Sequence, residues 1–135
     1  MIASLENLGK PIVISIIPPG EKEKSLTSIS RIIKPFFQQG FDKNACLISL
    51  GGGVVTDLGG FLASIMLRGI SCIHIPTTLL GQIDAAIGGK TGVDFWVLKK
   101  SMFKNMIGTF HQPRLVISDI DTLATLPQKE IFNGL

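Results

Sequence analysis

The chain alternates between short apolar runs and segments in which apolar residues recur every three or four positions. The apolar runs predict β-strands, over Pro11–Gly20, Cys46–Leu50, Ile70–Pro76 and Arg114–Ser118. The periodic segments predict helices, over Ser25–Gln39 with a kink or early end at Pro35, Val54–Leu67 and Thr78–Ile87. This alternation predicts an α/β fold with an open, mostly parallel sheet, flanking helices and ligands at the carboxyl ends of the strands.

The composition limits the protein class. With 135 residues, the chain is one domain or a piece of one. Its 45% hydrophobic content fits a parallel sheet buried on both faces, and no window of about eighteen residues is apolar throughout, so we expect no membrane span. Without an export signal, and with Cys46 and Cys72 expected as buried hydrophobic residues, we expect a cytoplasmic protein. A mild net charge of +3 favours anionic small molecules over nucleic acid.

A glycine-rich turn follows the second predicted strand, in the stretch "LGGGVVTDLGGF" (Leu50–Phe61). The backbone N–H groups of Gly51–Gly53 would lie at a helix N-terminus, where they can meet a phosphate or pyrophosphate. The alternative is a tight turn that binds nothing. Asp57 is expected in the first helical turn, where its carboxylate either accepts from a ribose hydroxyl or only stabilises the helix end.

A second group of polar residues follows the strand Ile70–Pro76, in "IPTTLLGQIDAAIGGKTGV". Thr77 and Thr78 can donate to a ligand or cap the next helix. Asp84 lies among apolar neighbours and is predicted to need a partner. Lys90 follows two glycines and can reach an oxyanion or phosphate, although "GGKTG" is not a Walker A loop. The two histidines have no further ligand at suitable spacing, so we expect no metal site in this chain.

Six stretches, taken in order, resemble the motifs of the 3-dehydroquinate synthases in the sugar-phosphate cyclase family: "PPGEKEKSL", "GGGVVTDLGGF", "MLRG", "IPTTLLGQIDAAIGGKTGV", "KNMIGTFHQP" and "DTLATLP". The resemblance implies that residues 1–135 are part of a Rossmann-like NAD-binding domain, truncated before a helical metal-binding domain. It also implies conversion of 3-deoxy-D-arabino-heptulosonate 7-phosphate to 3-dehydroquinate and phosphate, in the shikimate route. The resemblance further implies that bound NAD oxidises a substrate alcohol, that the reduced cofactor later reduces the ketone, and that a divalent metal, zinc or cobalt, polarises the substrate oxygens.

The resemblance implies a role for each matching residue. NAD contacts are implied for Gly20, Glu21, Lys24, Gly52, Gly53, Val54, Val55, Thr56, Asp57, Thr77, Thr78, Lys90, Lys104, Thr122, Leu123, Ala124 and Thr125. Roles beside the substrate are implied for Asp84, Lys90, Lys104 and Asn105, and Arg68 matches an arginine that reaches the substrate phosphate of a neighbouring subunit. A homodimer is therefore expected for the intact enzyme.

The chain departs from the family pattern at several points. Thr56 replaces a glycine, where its hydroxyl could still donate to the pyrophosphate. The stretch Asp94–Phe103 is longer than the usual link, which leaves Lys99 and Lys100 as competitors of Lys104. The family's metal ligands, one glutamate and two histidines, are expected after Leu135, and the first part of the nucleotide domain is expected before Met1.

Three other functions remain open. A different sugar-phosphate cyclase, such as a 2-deoxy-scyllo-inosose synthase, would share the cofactor chemistry. An iron-containing alcohol or glycerol dehydrogenase has a related fold, but the stretches "GGKTGV" and "KNMIG" argue against it. The third is a nucleotide-binding or subunit-interaction module without activity. For each enzyme, we expect this chain alone to be inactive.

Overall fold

The computed structural model describes residues 2–97 and 101–135. Its α-helices are α1 (Ile2–Glu6), α2 (Leu26–Gln38), α3 (Gly53–Ile65) and α4 (Gln128–Phe132). Its strands are β1 (Cys46–Gly51), β2 (Ser71–Pro76), β3 (Lys90–Val97), β4 (Ser101–Phe110) and β5 (Leu115–Val116). Short 3-10 helices cover Glu21–Glu23, Met66–Arg68 and Ile120–Thr125, and a π-helical turn covers Gly81–Ala85.

Strands β1, β2 and β5 form a parallel sheet with β2 in the middle. The register places Cys46 beside Ser71 and Gly51 beside Pro76, so β1 and β2 end together. These strands, together with helices α2 and α3, confirm the predicted α/β fold. The prediction of full burial was wrong for β1, because the exposed fraction alternates along it, and Cys46 at its start is exposed whereas Cys72 is buried.

Helix α3 packs closely on the parallel sheet through Gly59 and on strand β3 through Gly60. A Cβ atom on Gly59 would lie 1.9 Å from Ser49 Oγ, and one on Gly60 would lie 2.3 Å from Thr91 Cγ2. Leu58 and Leu62 of the same helix are among the most completely buried side chains. The main core therefore lies under α3, which contacts the parallel sheet on one side and strand β3 on the other.

Helix α2 confirms its predicted span and its start. The Ser25 hydroxyl accepts a hydrogen bond from the N–H of Ser28 at 3.2 Å, which caps the first turn. Pro35 lies inside the helix, which continues to Gln38. Gly40 follows with a φ of 70°, a left-handed conformation that suits glycine at a helix end.

The structure corrects three other predicted elements. Residues 11–18 form no strand, because no described strand pairs with them, and Ile14 and Ile16 are exposed. The helix predicted over Thr78–Ile87 is reduced to one short turn that widens into the π-helical turn. The last predicted strand is shortened to β5, which pairs with Ile73 and His74 of β2.

An antiparallel hairpin formed by β3 and β4 was not predicted from the sequence. Its register pairs Lys90 with Phe110 at the open end and Val97 with Ser101 near the tip. In the stretch that was predicted to be a lengthened link, the described residues 94–97 and 101–103 belong to these two strands. Lys99 and Lys100, the proposed competitors of Lys104, lie outside the described residues.

Candidate cofactor and substrate site

The glycine turn joins the end of β1 to the start of α3. Thr77 N–H donates to Gly51 C=O at 2.9 Å, which ties the ends of the two neighbouring strands together. A Cβ atom on Gly53 would find only the Cβ of Ala85 within 4 Å, at 3.8 Å, so space is open beside this backbone. The first N–H groups of a helix have no acceptor within the helix. Gly53 and Val54 therefore present backbone donors where an anionic group can approach.

Asp57 lies in the second turn of α3 and not in the first, because the helix begins at Gly53. Its carboxylate accepts a hydrogen bond from the ammonium of Lys24, which also donates to Asn105 Oδ1. The side chain of Lys24 is 5% exposed and that of Asp57 is 19% exposed. Burial raises the pKa of Asp57, and the neighbouring Lys24 only partly offsets this effect.

A cleft of about 510 Å³ opens beside this cluster, between α3, the π-helical turn and the hairpin. Its lining includes four residues predicted for the site, which come from four different parts of the chain: Asp57, Asp84, Lys90 and Asn105. The remaining lining residues are Ala85, Gly88, Thr91, Gly92, Met106, Gly108, Thr109 and Phe110. The cleft thus combines two carboxylates, an ammonium group and an amide at one surface.

The prediction that Asp84 is surrounded by apolar side chains and needs a partner was wrong. The π-helical turn leaves Asp84 and Ile83 exposed while Ala86 is buried. Such wide turns often occur at functional sites. Lys90, the first residue of β3, is also exposed. Both charged groups are therefore accessible to a ligand in the cleft.

Gln82 is a buried residue that sequence reasoning missed. Its Nε2 lies 3.1 Å from Pro76 C=O, 2.8 Å from Asp119 C=O and 3.1 Å from Thr122 Oγ1. This amide links the end of β2 to the 3-10 helix that contains the predicted contacts Thr122, Leu123, Ala124 and Thr125. The only signal in the sequence was a polar residue between Leu80 and Ile83, which did not distinguish an inward from an outward side chain.

Thr78 and Thr56 both use their hydroxyls in hydrogen bonds within the protein. Thr78 Oγ1 accepts from Gly81 N–H at 3.2 Å, which is the capping alternative. Thr56 is 1% exposed, and its hydroxyl donates to Gly53 C=O at 3.1 Å. The expectation that the Thr56 hydroxyl could donate to a ligand was therefore wrong, because the side chain points into the core.

Four other predicted residues, Gly20, Glu21, Arg68 and Lys104, are not among the residues that line the cleft. Lys104 Nζ is 3.6 Å from Glu21 Oε1, in a pair that is largely open to solvent. Gly20 precedes the 3-10 helix that contains Glu21 and has a φ of 120°. Arg68 is exposed and, like Leu67 before it, has a positive φ, at 66°.

Residues 2–97 and 101–135 contain no group of three or more histidine, cysteine or acidic side chains that could hold a metal ion. His74 is buried in β2, and His111 contributes a ring nitrogen that lies 2.9 Å from the carbonyl of Ile70. In the same described residues, every helix is too short or too polar to cross a membrane.

Comparison with known proteins identifies the family. The family model described as 3-dehydroquinate synthase N-terminal matches residues 14–133. The chain belongs to this family. It is 45% identical over 133 residues to the 3-dehydroquinate synthase of Pelobacter propionicus, covering 98% of this chain and 36% of that protein. It is 53% identical over 116 residues to that of Sulfurisphaera tokodaii, covering 86% and 32%.

Solved structures of related enzymes share the Rossmann-like fold. A 2-epi-5-epi-valiolone synthase from Streptomyces hygroscopicus, with NAD+ and Zn2+ bound, has a TM-score of 0.80 and 37% identity over 87% of this chain and 32% of that one. A 2-deoxy-scyllo-inosose synthase complexed with carbaglucose-6-phosphate, NAD+ and Co2+ has a TM-score of 0.84 and 27% identity, over 98% and 35%. The chain thus spans about a third of the length of the relatives it matches.

Proposed function

We propose that residues 1–135 form part of the NAD-binding domain of a 3-dehydroquinate synthase. The complete enzyme would convert 3-deoxy-D-arabino-heptulosonate 7-phosphate to 3-dehydroquinate and phosphate, as a carbon–oxygen lyase. The observation that carries this proposal is the cleft, which joins Asp57 of the glycine-turn helix to Asp84, Lys90 and Asn105. The family match supplies the reaction, and the cleft supplies groups suited to a cofactor and an anionic substrate.

The glycine turn fits a dinucleotide pyrophosphate. The open space beside Gly53 admits a phosphate to backbone N–H groups, and the helix dipole of α3 stabilises its negative charge. Asp57 provides an acceptor for a hydroxyl of the nucleotide. Lys24 holds that carboxylate in place, so its own contact with the cofactor stays a prediction. Bound NAD would supply the transient oxidation of a substrate alcohol.

The groups on the opposite side of the cleft suit a sugar phosphate. Lys90 is exposed at the start of β3, where its ammonium can attract anionic oxygens of the substrate. Asp84 can accept hydrogen bonds from substrate hydroxyls, and Asn105 has an amide that can donate as well as accept. Lys104 is paired with Glu21, so its contact with the substrate stays a prediction. These residues bind and orient, and we assign none of them as a nucleophile.

The described residues do not fit a catalytic divalent metal, because they contain no suitable ligand group. We therefore propose that zinc or cobalt is held by other residues of the complete enzyme, and we assign no metal-dependent step to this chain. The Zn2+ and Co2+ in the related structures support a metal in the complete protein. We likewise propose a cytoplasmic homodimer in which Arg68 reaches the partner's substrate phosphate, because Arg68 is exposed.

The two rival enzyme functions have less support. The chain is 45% identical to a 3-dehydroquinate synthase but 27% identical to the 2-deoxy-scyllo-inosose synthase. A glycerol dehydrogenase from Schizosaccharomyces pombe has a TM-score of 0.67 at 21% identity, which indicates the shared fold alone. A module without activity remains an outcome of the experiment below.

The test is phosphate release from 3-deoxy-D-arabino-heptulosonate 7-phosphate by the complete protein that contains this chain. We expect release that requires NAD and stops with a chelator, and we expect Lys90→Met to reduce turnover by at least about tenfold while NAD affinity is retained. Lys34→Met, on the exposed surface of α2, is the matched control. Normal turnover in Lys90→Met would mean that Lys90 has no role in the reaction. The absence of any phosphate release by the unchanged protein would favour the non-catalytic module.

The isolated 135-residue chain provides a second test. We expect no release of phosphate from it, even with NAD and zinc, because it lacks a metal site among its described residues. Metal-dependent release that persists through repurification would contradict this assignment and require ligands elsewhere.

A further inference from the structure

Asp94 lies at an irregular point of the hairpin. Val93 pairs with Ile107 and Phe95 pairs with Phe103, so this single residue of β3 faces three residues of β4, at positions 104–106. Extra residues of this kind bend a strand and redirect its side chains, and such bulges are common beside active sites. The bulge contains both Lys104 and Asn105, which the proposed function places beside the substrate.

The bulge interrupts the regular backbone pairing, and the side chain of Asp94 replaces the missing acceptor. Asp94 Oδ1 accepts from the backbone N–H of Asn105 at 2.9 Å. Asn105 has a φ of 56°, a left-handed conformation that asparagine adopts more readily than most non-glycine residues. The carboxylate therefore binds the N–H of a residue whose type suits the turn, and it fixes the position of that residue opposite Asp94.

Asp94 is itself held firmly in place. Its backbone N–H donates to Lys24 C=O at 2.8 Å, and it forms an isolated parallel bridge with Ser25. The residue is 2% exposed, and among the described residues its Oδ2 has no hydrogen-bond partner. Burying an unsatisfied carboxylate oxygen is unfavourable. A purely structural strand position would be served better by an apolar residue, so the carboxylate points to a specific role.

We infer that Asp94 is a positioning residue for the cleft, which it organises through Asn105. The N–H of Asn105 is bound by Asp94, and the side-chain oxygen of Asn105 accepts from the Lys24 ammonium that also holds Asp57. Contacts thus run from Asp94 through Asn105 and Lys24 to Asp57. The effect on NAD rests on the proposed function, whereas the effect on the backbone of Asn105 does not.

The first measurement is amide hydrogen exchange of residue 105 by NMR, on the chain without ligand. We expect Asp94→Ala to accelerate exchange by about tenfold, the loss anticipated for a hydrogen bond to a charged group, and Asp94→Asn to stay within about threefold because it retains an acceptor oxygen. Asp42→Ala is the matched control, since Asp42 Oδ1 accepts from Asn44 N–H at 2.8 Å in an exposed turn. It should leave residue 105 unchanged.

Unchanged exchange in Asp94→Ala would overturn the inference, as would an amide of Asn105 that already exchanges as in an unfolded chain. If Asp94→Ala does not fold, the test rests on Asp94→Asn. If that variant folds and its residue 105 exchanges more than about tenfold faster, the inference is also overturned.

The second measurement is NAD affinity by titration calorimetry on the same variants of the complete protein that contains this chain. We expect about tenfold weaker binding in Asp94→Ala and a change within about threefold in Asp94→Asn. Asn105→Gly accepts the left-handed backbone and retains the N–H for Asp94, but it removes the acceptor of Lys24. It should therefore preserve slow exchange at residue 105 and still weaken NAD binding.

The two measurements separate the inference from the proposed function. If the unchanged complete protein binds no NAD while Asp94→Ala accelerates exchange at residue 105, the cofactor proposal fails and the role of Asp94 in the turn stands. If the complete protein binds NAD and Asp94→Ala binds it equally well, the role of Asp94 in organising the cleft is wrong.

Discussion

The parallel layer of β1, α3 and β2 differs from the hairpin of β3 and β4 in how each contributes to the same cleft. In the parallel layer, glycines bring backbone into close contact, and the open N-terminus of α3 presents N–H groups. In the hairpin, much of the surface is exposed, and the side chains of Lys90, Lys104 and Asn105 carry the polar groups. Substitutions in the layer should therefore act through backbone packing, whereas those in the hairpin should act through individual side chains.

The largest effect is expected from a side chain added at the packed face of α3. Gly59→Val places its Cβ where Ser49 Oγ is only 1.9 Å away, and we expect the free energy of unfolding to fall by about 3 kcal/mol. The matched change Gly88→Val, at the base of the hairpin, finds nothing within 4 Å of its Cβ and should change stability by less than about 0.5 kcal/mol. Chemical denaturation measures the free energy of unfolding of both variants. Equal losses would mean that the two regions do not differ in backbone packing.

The next effect concerns the cofactor. Gly53→Val fills the open space beside the first N–H groups of α3, so we expect NAD affinity to fall by at least about tenfold while the fold is retained. Titration calorimetry measures the affinity, and circular dichroism checks the fold. Ala3→Val serves as the control, since it introduces the same side chain at an exposed position of α1 that does not line the cleft. Equal NAD affinity in Gly53→Val and in the unchanged protein would mean that the glycine turn does not bind the cofactor.

The third prediction is that folding stability depends on pH through His74 of the parallel layer. Burial lowers the pKa of His74 below its ordinary value of 6.5, and nearby His111 lowers it further. Below pH 6.5 the unfolded chain therefore binds more protons than the folded one, so stability is lost as the pH falls toward the folded pKa. The slope from one proton is at most about 1.4 kcal/mol per pH unit.

Denaturation curves between about pH 7.5 and 5.5 measure this slope. We expect His74→Asn to flatten it and His111→Gln to retain most of it. A slope that persists in His74→Asn would assign the effect to another group. Asp57 cannot cause this loss of stability at falling pH, because its pKa is raised in the folded chain. Its effect has the opposite sign, since stability falls as the pH rises above 3.8.

The smallest effect is expected at Thr56. Thr56→Val keeps the shape of the side chain but loses the hydrogen bond to Gly53 C=O, and we expect a loss of about 1 kcal/mol in stability. NAD affinity should change by less than about twofold, because the hydroxyl points into the core. Thr56→Ser, which keeps the hydroxyl, separates the two contributions. A tenfold weaker NAD affinity in Thr56→Val would mean that the Thr56 hydroxyl contributes to cofactor binding.

The parallel layer could be predicted from the sequence because its signals are local. A short apolar run followed by glycines and a helical repeat specifies β1, the turn and α3, but the helix begins one residue earlier than predicted, which moves Asp57 from the first turn to the second. The exposure of Asp84 could not be predicted, because a π-helical turn changes which side of the chain is buried without changing its composition.

The hairpin side of the cleft depends on contacts between distant residues. Lys24 lies 33 positions from Asp57 and 81 positions from Asn105, so no local pattern indicates that one ammonium joins them. The bulge opposite Asp94 is likewise set by the register of two strands. The family resemblance brought Lys104 and Asn105 to notice, but only the fold reveals what supports them.

The π-helical turn at Gly81–Ala85 also limits how this segment can change in length. Ala86 N–H donates to Gly81 C=O, five residues earlier, at 3.1 Å, so the turn holds one residue more than a regular one. Each residue advances a helix by about 100°. Deleting one residue here would restore regular helical phase and rotate Asp84 away from the cleft. The segment therefore tolerates exchange of residue type more readily than a change in residue number.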